Sequence, residues 1–330
     1  MALKNTTAPV RWGVLGSSGI VDAFMADLPY TQNMRVDAVC SRTTEGAQRF
    51  AQKYGTPHTF TDVSAMVQSG RIDALYIAVP HSHHKAAACT ALRAGVAVLV
   101  EKPATITVAE WDELVALAQQ NNTFLMEALW TDFVPGMAAA QQAVAEGKIG
   151  TLRSLEVSFG FTAPDDPKGR LLNPDLAGGA LWDIGIYGLY HAWRWLGEPE
   201  TWSVQRVLAS TGVDLRDTVD LAYTDGRVAR MHFALDREMP KEVVLHGTRG
   251  WLRISDIYNA ARVVLGGSSG PEEVIYERLD AAGGWCYEMQ HVTDCLQQGL
   301  VESPRWRWSD TRQMQLWVAN VQALWGKEHA

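Results

Sequence analysis

The sequence has few cysteines, no long apolar run and no excess of positive charge. Its four cysteines, Cys40, Cys89, Cys286 and Cys295, form no Cys-x-x-Cys pair and no metal-finger spacing. No apolar stretch approaches the roughly 18 residues that span a bilayer, and the opening segment MALKNTTAPV lacks the apolar core of a signal peptide. The net charge of −8 offers no field for nucleic acid or an anionic membrane. We therefore expect a soluble, cytoplasmic protein with small-molecule partners.

The chain is long and apolar enough for two domains, with 330 residues of which 47% are hydrophobic. Its first third alternates short β-branched runs with amphipathic stretches, which predicts an α/β Rossmann-type, doubly wound parallel sheet. The predicted strands cover residues 10–15, 36–40, 74–78, 96–100 and 123–126. The predicted helices cover 19–28, 45–54, 62–68, 85–93 and 108–120, the last one introduced by a capping box at Thr107 and Glu110.

The pattern changes after residue 128, where we place the domain boundary. Six predicted strands then follow with few helices between them, at 152–159, 203–208, 217–223, 228–234, 241–246 and 250–254. Helices are predicted near 182–196, 287–298 and 310–325. This order indicates an α+β domain, residues 129–330, with a large, mostly antiparallel open sheet.

The first strand leads into the loop Gly16-Ser17-Ser18-Gly19-Ile20. Glycines at a strand-to-helix turn let the backbone approach a pyrophosphate, and the helix N-terminus supplies N–H groups and a positive dipole. The usual second glycine position holds Ser18, so an ordinary glycine-rich turn is the alternative. The strand–turn–helix context favours a phosphate loop in which the serine hydroxyls also bind.

The second strand ends in Ser41-Arg42, without the carboxylate that binds the ribose 2′-hydroxyl of NAD. A guanidinium beside a hydroxyl suits a 2′-phosphate instead. The sequence therefore predicts NADP(H) rather than NAD(H), with residues 1–128 as the NADP-binding domain. The alternative is that Arg42 is an ordinary solvated surface residue.

Three histidines follow the fourth strand, in Pro80-His81-Ser82-His83-His84. Adjacent imidazoles without a nearby carboxylate or cysteine form a weak ligand set, so we predict no metal. We expect Pro80, His81 and His84 to belong to the cofactor-binding edge, although His84 is also placed to open the next helix and pack locally.

The fifth strand ends in Glu101-Lys102-Pro103, at the carboxyl edge where α/β sheets bind ligands. Lys102 is a candidate proton donor or acceptor, and Glu101 and Lys102 are predicted to contact the cofactor. Further on, Asp183 and Tyr187 are four residues apart and share one face of a predicted helix. A carboxylate beside a phenol suits a proton relay to a hydroxyl being oxidised; a buried Tyr bonded to a surface Asp is the alternative.

These motifs, at residues 16–20, 101–103, 126–130 and 178–187, resemble the Gfo/Idh/MocA oxidoreductase family along essentially the whole chain. Residues 81–87, 126–131 and 183–187 are most similar to its NADP-using branch of dimeric dihydrodiol and D-xylose dehydrogenases. The resemblance implies that Lys102 and Tyr187 are the catalytic pair, that Asp183 positions the reacting hydroxyl, and that the second-domain sheet forms a homodimer or larger homo-oligomer. The chain departs from the pattern at Ser18 and at Asp132, where the branch usually has Arg.

We expect Trp130, Arg170 and Asn173 to contact the substrate, although tryptophans more often pack in cores. The predicted function is hydride transfer between NADP and a hydroxyl of a sugar or cyclic diol. Two alternatives stay open: a non-catalytic NADP-sensing regulatory protein, and a physiological reductase of a sugar ketone or dicarbonyl.

Overall fold

A computed structural model describes residues 8–267 and 271–325 of the chain. Residue contacts divide the chain into two units, Met1–Trp130 with Ala281–Gln315 and Thr131–Asp280 with Leu316–Ala330. The segment Ala281–Gln315, which the sequence assigned to the second domain, thus groups with the first. Residues 1–7, most of the segment judged to lack a signal peptide, lie outside the described residues. No helix in the described ranges is long and apolar enough to cross a membrane.

The first unit contains a six-stranded, fully parallel sheet with helices between its strands, as the sequence predicted. In chain order its elements are β1 (Val10–Leu15), α1 (Gly19–Asp27), β2 (Met34–Cys40), α2 (Thr44–Tyr54), β3 (His58–Phe60), α3 (Val63–Gln68), β4 (Ala74–Ile77), α4 (His84–Arg93), β5 (Ala97–Glu101), α5 (Val108–Asn121) and β6 (Leu125–Ala128). The strand order is β3-β2-β1-β4-β5-β6. This reversal at β1 creates the crevice in which doubly wound sheets bind ligands. The sequence missed β3, which has three residues and no buried side chain.

The capping box that predicted α5 is present in a slightly altered form. The Thr107 hydroxyl oxygen accepts a hydrogen bond from the Glu110 N–H (3.2 Å), and the Glu110 carboxylate accepts one from the Ile106 N–H (3.1 Å). Two orphan donors are therefore satisfied at the start of the helix, which explains why it begins where the sequence indicated.

The second unit is built on an eight-stranded, mostly antiparallel sheet. Its elements are α6 (Pro135–Ala145), β7 (Leu152–Thr162), α7 (Ile186–Leu196), β8 (Thr201–Leu208), β9 (Asp214–Ala222), β10 (Val228–Ala234), β11 (Asp236–Gly247), β12 (Gly250–Ser255), β13 (Arg262–Gly267) and β14 (Glu273–Glu277). The order is β14-β13-β12-β11-β7-β10-β9-β8, and only the β7–β10 pair among these strands is parallel. The fold class predicted for this part is confirmed; β13 and β14 were not predicted.

After the second sheet the chain returns to the first unit with α8 (Trp285–Gln297) and the beginning of α9 (Trp308–Leu324). The Leu125 N–H donates to the carbonyl of Val301 (3.2 Å), and the indole N–H of Trp111 donates to the carbonyl of Trp308 (2.9 Å). Hydrogen bonds thus join the returning segment to β6 and α5 of the first unit.

Candidate active site

The loop after β1 has the backbone geometry of a phosphate loop. Gly16 has φ +124°, and a Cβ there would lie 2.4 Å from the carbonyl oxygen of Ala78, directly after β4. Its N–H donates to the Cys40 carbonyl at the end of β2 (3.0 Å). Position 16 therefore requires glycine, because three chain segments meet there. A Cβ on Gly19, in contrast, would meet no described atom within 4 Å, so this side of the loop has room for a ligand.

The predicted phosphate-binding residues lie together at the tips of β1 and β2. Ser18 is the N-cap residue of α1, with an extended backbone and no side-chain cap hydrogen bond among the described residues. Ser17 Oγ lies 3.3 Å from Ser41 Oγ. Ser17, Ser18 and Arg42 are exposed, and Ile20 is half-buried. Serine hydroxyls, a helix N-terminus and an exposed guanidinium form a donor set that fits the phosphates of a dinucleotide.

The histidines after β4 have different environments. His81 begins a short 3-10 turn after Pro80 and is half-buried, with its ring centroid 5.7 Å from that of His84. His84 is fully buried as the first residue of α4. Its Nδ1 lies 3.0 Å from the Pro103 carbonyl oxygen and its Nε2 2.8 Å from that of Val79. A cofactor contact by the His84 ring would have to replace one of these bonds. Local packing is the role that the sequence gave as its alternative.

Burial and the positive charge of Lys102 lower the pKa of His84 to about 4, against the raising effect of the backbone carbonyls. His84 is therefore neutral at pH 7, and its single N–H donates to one of the two carbonyls, that of Val79 after β4 or that of Pro103 after β5. The described residues contain no cluster of His, Cys, Asp and Glu side chains that could hold a metal ion.

The Glu-Lys-Pro motif begins at the last residue of β5. Glu101 is buried; its Oε1 accepts the Tyr76 hydroxyl (2.6 Å) and its Oε2 accepts the Lys102 N–H (3.3 Å). Lys102 is half-buried, and the Lys102–Pro103 peptide is cis. Behind them Glu288 of α8 is fully buried, and burial together with the charge of Glu101 raises its pKa well above the usual range.

A buried carboxyl that the sequence did not single out lies at the end of β6. Glu127 Oε1 accepts the Ala104 N–H (2.9 Å), and Oε2 accepts the indole N–H of Trp306 (3.3 Å). Burial raises the pKa of Glu127 to about 7, although these donors and the charge of Lys102 act in the opposite direction. Glu127 directly follows the predicted strand 123–126 and is the next-to-last residue of the observed β6, and this position beside a strand end was the available signal.

Trp130 is only 2% exposed and stacks on Trp285 of the returning segment, with ring centroids 4.2 Å apart and planes 14° from parallel. The sequence predicted that Trp130 contacts the substrate. In the structure of the first unit, the ring of Trp285 covers that of Trp130. Trp285 opens α8, and the residues before and after it donate backbone N–H groups to the buried carboxylate of Asp27 in α1.

In the second unit a five-residue π-helical turn, Leu181–Gly185, precedes α7. The expected helix 182–196 is thus wider at its start, a geometry often found at functional sites. Asp183 Oδ1 lies 2.7 Å from Nη1 of Arg170. Tyr187 is 6% exposed, with its ring 6.2 Å from that of Phe159 and 5.9 Å from that of Tyr258. The structure therefore joins Asp183 to Arg170, a pairing the sequence did not predict.

Two other predicted positions have clear local partners. The Asn173 side-chain oxygen accepts the Asp175 N–H (2.9 Å) and caps a short 3-10 turn, so this residue shapes the loop. Asp132 is fully buried, accepts the Tyr190 hydroxyl (2.8 Å) and pairs with Arg194 Nη2 (3.1 Å). Asp132 stands where the family branch usually has Arg, and its negative charge is neutralised by Arg194 on α7.

The chain matches two family descriptions that together cover most of its length. The first is "Oxidoreductase family, NAD-binding Rossmann fold" over residues 10–129, and the second is the Gfo/Idh/MocA C-terminal domain over residues 137–253. The chain belongs to the Gfo/Idh/MocA oxidoreductase family. The trans-1,2-dihydrobenzene-1,2-diol dehydrogenase of Mus musculus is 33% identical over 304 residues, covering 89% of this chain and 90% of that protein. The Homo sapiens enzyme of the same name is 32% identical over 309 residues, with the same coverage.

Solved structures of related enzymes have the same fold. An aldose-aldose oxidoreductase from Caulobacter crescentus, complexed with glycerol, superposes with a TM-score of 0.87 at 22% identity and covers 97% of this chain and 98% of its own. A 3-ketoreductase from Actinomadura kijaniata, complexed with NADP and TDP-benzene, gives a TM-score of 0.84 at 25% identity, with 96% and 97% covered. This Gfo/Idh/MocA chain is an oxidoreductase with a Rossmann nucleotide-binding fold.

Proposed function

We propose that this Gfo/Idh/MocA oxidoreductase transfers hydride between NADP(H) and a CH–OH group of a sugar or cyclic diol. The observation that carries the proposal is the carboxyl edge of the parallel sheet in the first unit. There the Gly16 turn, the Ser17–Ser41 contact and the Glu101-Lys102-Pro103 motif follow strands of a single sheet. The dihydrodiol dehydrogenases at 33% identity support a diol or sugar hydroxyl as the reacting group.

The cofactor preference rests on Ser41 and Arg42. Replacing Arg42 by Ala should weaken NADP+ binding by about 10-fold or more and NAD+ binding little, because an exposed guanidinium–phosphate pair is lost only with NADP+. Fluorescence titration of both cofactors measures this difference. Arg71→Ala, also exposed in the first unit, is the matched control. Equal weakening of both cofactors would remove the NADP assignment.

A bound nicotinamide would supply the hydride acceptor for the carbon bearing the hydroxyl, or the hydride donor for the corresponding carbonyl. We assign the proton of that hydroxyl to Lys102 and Tyr187, with Asp183 orienting the reacting group and Arg170 holding the Asp183 carboxylate at 2.7 Å. General acid–base groups of this kind contribute about 10²- to 10⁴-fold to rate. Trp130 and Asn173 support the substrate site indirectly. Trp130 does so through its stack on Trp285, and Asn173 through the loop whose 3-10 turn it caps.

The assay is a panel of D-xylose, D-glucose and trans-1,2-dihydrobenzene-1,2-diol with NADP+, followed at the NADPH absorbance band. Lys102→Met should reduce turnover by at least about 100-fold while NADPH binding changes little. Lys85→Met, which removes a surface pair with Glu113, is the control. Near-normal turnover of Lys102→Met would refute the mechanism. NADPH binding without turnover of any compound would favour the sensor alternative.

Reduction of a sugar ketone is the second candidate, favoured by the 3-ketoreductase neighbour. The same residues would then deliver a proton to the carbonyl oxygen while NADPH is oxidised. Turnover of a 3-keto sugar with NADPH that exceeds the oxidation of every panel alcohol would select this direction.

We further propose that the protein acts as a cytoplasmic homodimer. Val207 and Val228 are 41% and 48% exposed on one face of the second sheet, around the Asp220–Arg230 pair, so this face offers apolar and complementary charged groups to a second copy. The four cysteines are free and buried, which suits a reducing compartment. Light scattering should give the mass of a dimer, and Val228→Asp should give a monomer; a monomeric wild-type protein at micromolar concentration would contradict this.

A further inference from the structure

Two aspartates of β9 are buried in the second unit, where an alternating strand would normally hold apolar side chains. Asp214 is 3% and Asp217 2% exposed. Asp217 shares the inner face of β9 with Val219 and Leu221, both buried. Burying a carboxyl costs several kcal/mol unless it is neutral or well paired, so these positions call for a physical explanation.

Asp214 is bonded to the chain segment that carries Asp183. Its Oδ2 accepts the Leu181 N–H at 2.6 Å, at the first residue of the π-helical turn. The other oxygen lies against Gly179: a Cβ there would be 2.1 Å from Oδ1, and Gly179 has φ +124°. The Gly179 carbonyl in turn accepts the Asp183 N–H (3.1 Å). Asp214 thus binds the first residue of the Asp183 turn and lies against Gly179, whose carbonyl holds the Asp183 N–H.

The two carboxyls have different surroundings. Asp214 accepts the Leu181 N–H, which favours its ionised form, whereas burial and the charge of Asp214 favour the protonated form of Asp217. Burial raises the pKa of both groups, and the charge of Asp214 raises that of Asp217 further. With the pKa of Asp217 raised to about 9, the pair binds a proton at neutral pH.

We propose that the Asp214 carboxylate is a positioning residue that fixes the π-helical turn and α7, and through them Asp183 and Tyr187, in the geometry of reaction. This inference rests on the proposed function, in which those two side chains act on the substrate hydroxyl. An anion at the start of the turn also interacts favourably with the helix dipole.

The test compares Asp214→Asn, Asp217→Asn and the control Asp225→Asn, which removes an exposed pair with Arg227. With the panel compound that the wild type oxidises fastest, Asp214→Asn should lower kcat about 10- to 100-fold, because small misplacements of reacting groups have effects of this size. NADPH binding by fluorescence should stay within about twofold, since that site lies in the first unit. Asp217→Asn, isosteric with a protonated carboxyl, should stay within about threefold of the wild type.

A double-mutant cycle with Tyr187→Phe separates this proposal from a general loss of structure. If Asp214 acts through Tyr187, then Asp214→Asn should change kcat much less in the Tyr187→Phe background than in the wild type. Equal factors in both backgrounds would overturn the positioning role. Normal turnover of Tyr187→Phe alone would overturn the assignment of Tyr187, and with it this inference.

If Asp214→Asn does not fold, hydrogen exchange of the wild-type protein provides the second measurement. The Leu181 amide should exchange as slowly as amides in the middle of α7, because a buried carboxylate accepts it at 2.6 Å. Exchange at the rate of exposed loops would overturn the proposal.

Discussion

The carboxylate of Asp27 offers the sharpest test of how the returning segment is held to the first unit. It lies at the end of α1 and is 2% exposed. Oδ1 accepts the Gly283 N–H at 2.5 Å, while Oδ2 accepts the N–H groups of Gly284 and Cys286 at 2.8 and 3.0 Å. Gly284 is the N-cap residue of α8, and as a glycine it has no side chain that could accept a capping hydrogen bond. Asp27 therefore caps a helix from a distant part of the chain.

Replacing Asp27 by Ala would leave three backbone donors without their acceptor. Hydrogen bonds to a charged group contribute about 1.5–3 kcal/mol each, and they are not additive. We therefore expect a loss of about 4 kcal/mol from the free energy of unfolding, a large part of the roughly 5–15 kcal/mol typical of a domain. Asp27→Asn retains one acceptor and should lose about half as much.

Urea denaturation followed by circular dichroism measures these changes. Asp22→Asn is the matched control, because Asp22 lies on the same helix and makes only exposed contacts with Lys53 and Tyr54. A denaturation midpoint for Asp27→Ala close to that of Asp22→Asn would refute the reasoning, since it would mean that the three bonds contribute nothing.

Three further outcomes are expected. Gly16→Ala should abolish NADPH binding in fluorescence titration, because its Cβ would collide with the Ala78 carbonyl at 2.4 Å; retained affinity would contradict this. Tyr190→Phe should cost about 2 kcal/mol in urea denaturation, because buried Asp132 loses a donor at 2.8 Å; an unchanged midpoint would count against it. Burial raises the pKa of Glu127 to about 7, so the folded protein binds an extra proton between pH 4.5 and 7. Stability from this group is therefore present below about pH 4.5 and lost by about pH 7, by about 3 kcal/mol in total. Glu127→Gln should reduce the difference between denaturation midpoints at pH 5 and pH 8; an unchanged difference would exclude Glu127 as its source.

Local patterns were enough to predict the parallel sheet and to name candidate residues at its carboxyl edge. The run of valines before Glu101, the glycine at the end of β1 and the capping threonine before α5 each act within a few residues of sequence. For the same reason phosphate binding was predicted at the tips of β1 and β2, where the structure has Ser17 and Ser41 in contact.

Contacts between distant parts of the chain could not be predicted in this way. Nothing near Asp27 indicates that residues 283–286 return to it, and the stack of Trp285 on Trp130 has the same origin. The buried Asp214 was overlooked because the predicted strand began only at residue 217, whereas β9 begins at Asp214. An aspartate on the apolar face of β9, at Asp217, was the visible signal of an unusual environment.

The return of residues 281–315 makes the nucleotide-binding unit discontinuous, with the second sheet as an insertion within it. A fragment ending at residue 130 would expose the indole N–H of Trp111 and the carboxyls of Asp27 and Glu127, all of which have partners in the missing segment. Grafting this nucleotide-binding module onto another protein therefore requires both pieces of chain, and a shortened insert must still bring its two ends back to the same module.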